Sequence, residues 1–273
     1  MSLARIAIRA AAVEAIKGRT LVGANVLDSE IGVLDLDSSG RVTSPEKEAF
    51  VAVYTDAAKA AVGDNDLRSM LLNGTTDLLF ECGMSAAMLQ NTDPDTGETV
   101  MAIGVPDTDA NFEFQLDLLV RQLIEALTDP GNVWGQVFLG LAYRLRSVER
   151  MRVGNITDGT RLAAQQLKVS ADLVDDPEPA TALDPDSAFG RFITLAQASE
   201  DESLRKKGAF MAAAIAGTRE AWENLQQAHG MTAAELRALG LGPLPADADR
   251  STPAWDSATL ERAGLSPAVE VSP

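Results

Sequence analysis

The chain has 273 residues, of which 46% are hydrophobic, and it carries a formal net charge of −17 at pH 7. This composition excludes a disordered chain and supplies a core for one domain with an appendage or for two small domains. The negative net charge argues against a surface that binds nucleic acid, because phosphate binding needs clustered lysine and arginine. A negative channel wall would still let a polyanion slide past without sticking.

Cysteine content and hydropathy bear on the compartment of the protein. The single cysteine, Cys82, lies in an apolar run, so no internal disulfide can form and we expect a buried thiol in a reducing cytoplasm. No stretch approaches the roughly 20 apolar residues of a membrane span, and Arg5 and Arg9 place charge in the N-terminal segment. The sequence therefore predicts a protein that is neither secreted nor inserted into a membrane.

The first part of the chain predicts a helix followed by strands. Gly18 is placed to end a helix whose apolar residues recur at helical spacing, namely Leu3, Ile6, Ala10, Val13 and Ile16. Residues 20–26 predict a first strand, and residues 49–55 and 77–84 predict stronger ones because apolar and β-branched side chains crowd short runs there. Polar residues 91–98 predict a loop.

A long amphipathic helix and a hairpin come next. Residues 129–131 end a helix with one apolar face, formed by Phe112, Leu116, Leu119, Val120, Leu123 and Leu127. Residues 133–143 predict a short helix or strand, residues 144–153 a strand with a bulge, and Asp158 with Gly159 a turn before a second strand that ends at Leu173. The sequence predicts an α+β fold, with a mainly antiparallel sheet and a long closing hairpin packed against two helices.

The composition changes after Pro177. Alanine-rich residues 178–242 predict a helical extension, in which Thr232 and Glu235 form a capping box for a short helix that ends near Gly240. Residues 243–273 contain five prolines and predict an extended C-terminal arm. We therefore predict a core of residues 1–177, a helical extension of residues 178–242 and an arm of residues 243–273.

One segment matches the spacing of an EF-hand calcium loop. Oxygen ligands alternate, glycine stands at the bend and a carboxylate is twelfth: Asp35, Asp37, Ser39, Gly40, Arg41, Val42, Thr43 and Glu46. An EF-hand also needs a helix on each side, whereas the flanking residues read as coil and strand. The alternative is an exposed acidic turn that joins two strands, and the sequence leaves both open.

Other residues with catalytic potential stand in ordinary contexts. His229, the only histidine, lies beside Gly230 and is expected at a helix C-terminus rather than in a general-base role. The pairs Asp175/Asp176 and Asp93/Asp95 occupy turn contexts, so carboxylate-only catalysis is the remoter alternative. We expect no enzyme activity and no catalytic, cofactor-binding or metal-binding residue.

Four arginines predict a basic stripe on the first strand of the hairpin. They alternate imperfectly with apolar residues and are Arg144, Arg146, Arg150 and Arg152. Such a stripe can meet an acidic partner, or it can pair with the carboxylates of neighbouring subunits, which is the reading that the sequence favours.

Several segments together resemble the tail terminator proteins of long-tailed phages. The resemblance covers the first helix at residues 6–16, the variable segment 26–31, the strand 50–56, the long helix around residues 116–123 and the final strand 161–177. It spans about two thirds of the chain. Residues after Pro177 have no counterpart in the small members of that family.

The resemblance implies a structural virion protein of the neck region, assembled in the host cytoplasm. Such a subunit forms a hexameric ring with its own copies on the last ring of tail tube protein, ends tube growth and presents the docking surface for the head-side connector or stopper protein. DNA passes through the lumen without specific binding, and no membrane is involved. The alternatives are another head-to-tail connector component and an EF-hand-like calcium-binding protein.

Overall fold

The computed structural model describes residues 2–30, 35–36, 42–43, 48–61, 68–85, 90–92, 99–101, 109–157, 160–180, 182–242, 258–260 and 269–271. These residues form the helices α1 (Leu3–Ile16), α2 (Asp109–Thr128), α3 (Val133–Leu141), α4 (Ala188–Ala198), α5 (Glu202–Ile215), α6 (Ala221–His229) and α7 (Ala233–Ala238). They also form the strands β1 (Val26–Asp28), β2 (Asp35–Leu36), β3 (Val42–Thr43), β4 (Phe50–Lys59), β5 (Thr75–Ser85), β6 (Gln90–Thr92), β7 (Thr99–Met101), β8 (Ala142–Thr157), β9 (Thr160–Leu173), β10 (Ala258–Leu260) and β11 (Val269–Val271).

The chain forms two compact units. The larger comprises Met1–Ala61 and Leu71–Gly217, and the smaller comprises Val62–Met70 and Thr218–Pro273. The change of composition at Pro177 does not coincide with this division, because α4 and α5 belong to the larger unit.

A five-stranded sheet in the order β1-β4-β5-β9-β8 organises the larger unit. β1 is parallel to β4 and every other neighbouring pair is antiparallel, so the predicted α+β fold with a mainly antiparallel sheet is confirmed. β8 and β9 form the predicted long hairpin, whose turn at Asp158 and Gly159 lies outside the described residues. The bulge predicted in the first hairpin strand appears as register shifts near its start, between Ala142 and Arg144 and between Leu145 and Ser147.

One face of the sheet packs against helices. Val53, Phe80 and Leu167 stand side by side on β4, β5 and β9 and are buried in the same core as the apolar face of α2. All six residues of the predicted α2 face are buried, which confirms the amphipathic pattern. Cys82 is fully buried on the same sheet face, and burial, together with the nearby charge of Glu81, raises the pKa of its thiol to about 12.

Two local predictions are wrong. Residues 20–24 form turns rather than a strand, because Gly18 and Gly23 adopt left-handed φ angles of +69° and +59° and the Gly18 amide donates to the Gly23 carbonyl at 2.8 Å. The strand begins only at Val26. The predicted loop at residues 91–98 also fails at its start, where β6 pairs antiparallel with β7. Residues 93–98 lie outside the described part of the chain.

α4 and α5 complete the helical layer of the larger unit. α4 packs against α3, where the Trp134 and Phe192 rings meet edge to face with centroids 6.0 Å apart. A Cβ atom added to Gly140 of α3 would come 2.9 Å from the Ala188 Cβ of α4, so the two helices approach closely. The predicted helices after Pro177 are confirmed, and the first two share the core of the sheet.

The smaller unit contains α6, α7 and the ladder β10-β11. α7 has the predicted capping box, in which the Glu235 amide donates to the Thr232 hydroxyl and the Glu235 carboxylate accepts from the Thr232 amide. His229 ends α6, as predicted, before Gly230 in the left-handed conformation. Of the predicted arm, only the two short strands are described. No described helix is long and apolar enough to span a membrane.

Candidate assembly surface

β8 forms one edge of the sheet and exposes large apolar side chains. It is 16 residues long and pairs with β9, and no described strand pairs with its other edge. Its exposed apolar residues include Tyr143, with 82% of its surface accessible, and Met151, with 56%. We call the four exposed residues the β8 strip: Tyr143, Leu145, Val148 and Met151. Exposed apolar residues on an edge strand are typical of contact surfaces.

The β8 strip occupies both faces of the strand. Val148 pairs with Val169, a core residue, so it extends the helix-covered face of the sheet beyond the helices. Met151 pairs with Gln166, which alternates with the core residues of β9 and therefore lies on the opposite face. A partner that covers β8 would bury apolar surface on both faces.

α2 adds exposed apolar residues on the helix-covered side. Phe114 and Leu118 lie one turn apart on α2 and are 61% and 38% exposed. The second turn of α2 is linked to β8 by an ion pair between Arg152 and Glu113, with a nitrogen–oxygen distance of 2.7 Å.

The predicted basic stripe lies on β8, and most of it pairs within the chain. Arg144 and Arg146 both bind the Asp172 carboxylate, at 3.0 and 2.7 Å, and the Thr75 hydroxyl donates to it at 2.6 Å. Hydrogen bonds from Arg146 and Thr75 hold the pKa of Asp172 well below its usual range. Arg150 has no ion pair with any described residue. Of the four arginines, Arg150 is therefore the one most available for the predicted pairing with carboxylates of neighbouring subunits.

The opposite edge of the sheet is closed by side chains from the helices. The Arg5 guanidinium donates to the backbone carbonyls of Thr55 and Asp56 on β4, at 3.3 and 2.8 Å. On β1, the Asp28 carboxylate accepts from Arg9 and from Lys207 of α5, each at 2.6 Å. The two edges of the sheet therefore differ. At one edge Arg5 binds backbone carbonyls of β4 and two cations bind the Asp28 side chain, whereas at the other edge the side chains of β8 are exposed.

Asp28→Asn is expected to lower the free energy of unfolding by about 1–2 kcal/mol at pH 7, with a smaller effect in acid. Burial alone would raise the pKa of Asp28, but the hydrogen bond from Lys207 and the charge of Arg9 outweigh it and hold the pKa below its usual range. A lowered folded-state pKa contributes stability above the unfolded value, and that contribution is lost as the pH falls through the folded value. Urea unfolding at neutral and strongly acidic pH measures the difference.

Asp117→Asn is the matched control for this prediction. Asp117 lies on the exposed face of α2, so this substitution should change stability little at either pH. An Asp28→Asn effect that persists undiminished in acid would contradict the ion-pair explanation.

A cavity of about 490 Å³ lies beside the Arg146–Asp172 pair. Both of its carboxylates are ion-paired, Asp172 to the arginines and Asp77 to Lys168 at 2.8 Å. Burial alone would raise the pKa of Asp77, but the hydrogen bonds from Lys168 and Ser170 lower it. A carboxylate with a lowered pKa is a poor general acid at neutral pH, so this cavity gives no support to carboxylate catalysis.

The residues predicted as turn carboxylates have structural partners. Asp176 accepts hydrogen bonds from the backbone amides of Leu3 and Ala4 at the start of α1, at 2.8 and 2.9 Å. Asp175 accepts from the Asn73 amide at 3.3 Å. Asp93 and Asp95 lie outside the described residues.

The calcium-loop segment is described only at its two short strands. β2 and β3 pair antiparallel, with Asp35 opposite Thr43, and the segment is flanked by strands β1 and β4 rather than by helices. Asp37, Ser39, Gly40, Arg41 and Glu46 lie outside the described residues, so calcium binding stays a prediction. Elsewhere, the described part of the chain contains no group of three or more histidine, cysteine or acidic side chains arranged to hold a metal.

Sequence reasoning found the arginines of the stripe but not the closed edge opposite it. The only sequence feature that points to the opposite edge is the four-residue spacing of Arg5 and Arg9 in α1. This spacing shows that the two arginines share a helix face, but it does not show what they contact.

In comparisons with known proteins, the chain matches no protein-family model, and no curated protein shows significant similarity to it.

Proposed function

We propose that this chain is a structural subunit of the phage neck. In this proposal its copies form a ring, most simply a hexamer, on the end of the tail tube, stop tube polymerisation and provide the docking surface for the head-side connector. The observation that carries the proposal is the exposed β8 strip with its arginines, at one edge of the sheet of an otherwise acidic chain.

The different treatment of the two sheet edges supports a ring. At the opposite edge, Arg5 already holds the backbone carbonyls of Thr55 and Asp56 on β4, which disfavours pairing with β8 of a second copy there. Two β8 strands placed edge to edge would bring two arginine-rich segments together, so a contact of β8 with a different surface of the second copy is favoured. Such head-to-tail contacts close into rings when the rotation between subunits permits it.

The order of elements also supports the proposal. An N-terminal helix, sheet strands, a long helix and a closing hairpin follow one another here, and the resemblance to tail terminators implies the same order. Termination would be steric, because the ring would occupy the surface that the next tube ring needs. A net charge of −17 suits a lumen that DNA passes through without binding.

The mass of the purified protein tests this proposal, measured by light scattering after size exclusion with and without tail tube protein. We expect a hexamer, or a monomer that becomes a six-fold ring on tube ends. A persistent monomer with no affinity for tubes would contradict the proposal and direct attention to calcium binding by residues 35–46. A stable ring that ignores tubes but binds the head-side connector would favour another connector component.

A paired substitution tests whether the β8 strip makes the contact. Val148→Glu places a charge in the strip, whereas Leu239→Glu changes an exposed leucine of the smaller unit. We expect the first variant to lose ring formation and the second to retain it. Equal behaviour of the two variants would show that the ring contact lies elsewhere.

A further inference from the structure

We propose that the open edge of β8 accepts an extended acidic segment of a partner polypeptide as an additional strand. This inference rests on the proposed function for the role of β8 as a contact surface, and it adds the binding mode and the chemistry of the partner. The partner would form a sixth strand of the sheet, next to β8 on the side away from β9.

The backbone of β8 favours strand addition. An edge strand directs the amide and carbonyl groups of alternate residues away from its neighbour, where another chain can pair with them. Residues 143–152 are exposed on β8 except for the half-buried Ser147. β3 approaches β8, but no ladder joins the two. A stretch of this length offers roughly one backbone hydrogen bond per added residue.

In the described part of the chain, the β1–β4 edge of the sheet, unlike the β8 edge, has backbone groups that are bound by a side chain of the same protein. Arg5 donates to the backbone carbonyls of Thr55 and Asp56 on β4, beyond the residues of β4 that pair with β1. Among the described residues, no side chain makes equivalent hydrogen bonds to the backbone of β8. Within the described residues, side chains therefore protect the backbone at the β1–β4 edge but not at the β8 edge, as expected if the β8 edge is used for binding.

Charge identifies the chemistry of the added strand. Residues 143–152 contain four arginines and one glutamate, Glu149, and so carry a net charge of +3 in a chain of net charge −17. Two β8 strands placed edge to edge would bring together two such positive segments. An acidic strand would instead meet Arg150, which has no ion pair within the described part of the chain, beside three arginines that pair with Asp172 or Glu113.

The faces of β8 specify the pattern of the partner. On the helix-covered face, Leu145 and Val148 precede Arg150 and Arg152 along the strand. The partner strand should therefore present apolar side chains near the start of β8 and carboxylates towards residue 152. A strand whose side chains on this face are apolar in one half and acidic in the other meets this requirement.

Binding of a labelled peptide to the full-length protein tests the inference. The probe is a peptide of about ten residues, matched in length to the exposed stretch, whose side chains on one face are valines in one half and glutamates in the other. The control has lysines in place of the glutamates. Fluorescence anisotropy is measured at a protein concentration where light scattering gives the monomer mass. We expect the glutamate peptide to bind and the lysine peptide not to bind.

N-methylated peptides separate strand addition from charge attraction. Two versions carry N-methyl groups at odd or at even positions, so each loses the amide donors of one edge while its side chains are unchanged. Strand addition uses one edge of the peptide, so one version should lose binding and the other should keep it. Equal binding of both versions would overturn the inference.

Arg150→Glu supplies the matched protein variant, because Arg150 is exposed and has no ion pair with any described residue. We expect about a tenfold loss of affinity for the glutamate peptide, whereas Lys206→Glu on the exposed side of α5 should change this affinity little.

Loss of peptide binding in both variants, or a two-fold dimer of the free protein held by β8, would also overturn the inference. A ring that assembles on tubes without any peptide binding would reject strand addition and leave the proposed function standing. Peptide binding without ring formation would support strand addition and reject the proposed function.

Discussion

Asn132→Ala is expected to lower the free energy of unfolding by about 3–5 kcal/mol, because one buried side chain serves three helices. The Asn132 amide donates to the Ala15 carbonyl of α1 at 2.9 Å and to the Ala126 carbonyl of α2 at 2.7 Å. Its oxygen accepts from the Trp134 amide and caps α3. With only 2% of Asn132 exposed, alanine would leave these groups without solvent as a substitute. Chemical denaturation monitored by circular dichroism measures the loss.

Asn132→Ser separates capping from the two donated hydrogen bonds. Serine is also a good N-cap, so it should keep the start of α3 while losing the links to Ala15 and Ala126. We expect its stability to fall between the wild type and the alanine variant. If alanine cost less than 1 kcal/mol, or about as little as an exposed substitution, the three-helix junction would not depend on this side chain.

Asp176→Ala is expected to cost about 2–4 kcal/mol, because its carboxylate is the acceptor for the start of α1. Besides the amides of Leu3 and Ala4, it accepts from the Ser2 hydroxyl at 2.7 Å and from the Asn73 side chain at 3.1 Å. A carboxylate near a helix N-terminus is also favoured by the helix dipole. The substitution should loosen α1, which hydrogen exchange of its first amides would report together with the midpoint of thermal unfolding.

The neighbouring Asp175 provides the control for this prediction. Asp175 accepts one long hydrogen bond, from the Asn73 amide, so Asp175→Ala should cost about 1 kcal/mol or less. Similar losses from the two variants would indicate a general effect of charge in this turn rather than capping of α1.

The elements that the sequence predicted well are those with a local pattern. α2 shows an apolar stripe at helical spacing, and β9 alternates cleanly, so their buried faces follow from the residues themselves. The false strand at residues 20–26 has the composition of a strand, but the left-handed glycines at Gly18 and Gly23 fold it into turns. Composition of a short run does not reveal such a backbone reversal.

The candidate surface was only partly predictable. The arginine stripe can be read from the sequence, because it lies within one strand. Its position at a sheet edge depends on strand order, which places β8 beside β9 and β1 at the far side. That Arg5 closes the far edge depends on contacts across about fifty residues of sequence, between α1 and β4. No local pattern carries that information.

The close contact between α3 and α4 constrains how this chain could have arisen. Trp134 and Phe192 share one aromatic contact, and Gly140 allows Ala188 to approach, so the outer side of α3 is shaped for the helix that follows the sheet. A related subunit that ends near residue 177 would expose this apolar side and would need polar residues there to stay dispersed. Gain or loss of the segment that contains α4 would therefore require matching changes on α3, so this segment is poorly suited to transfer between proteins as an independent unit.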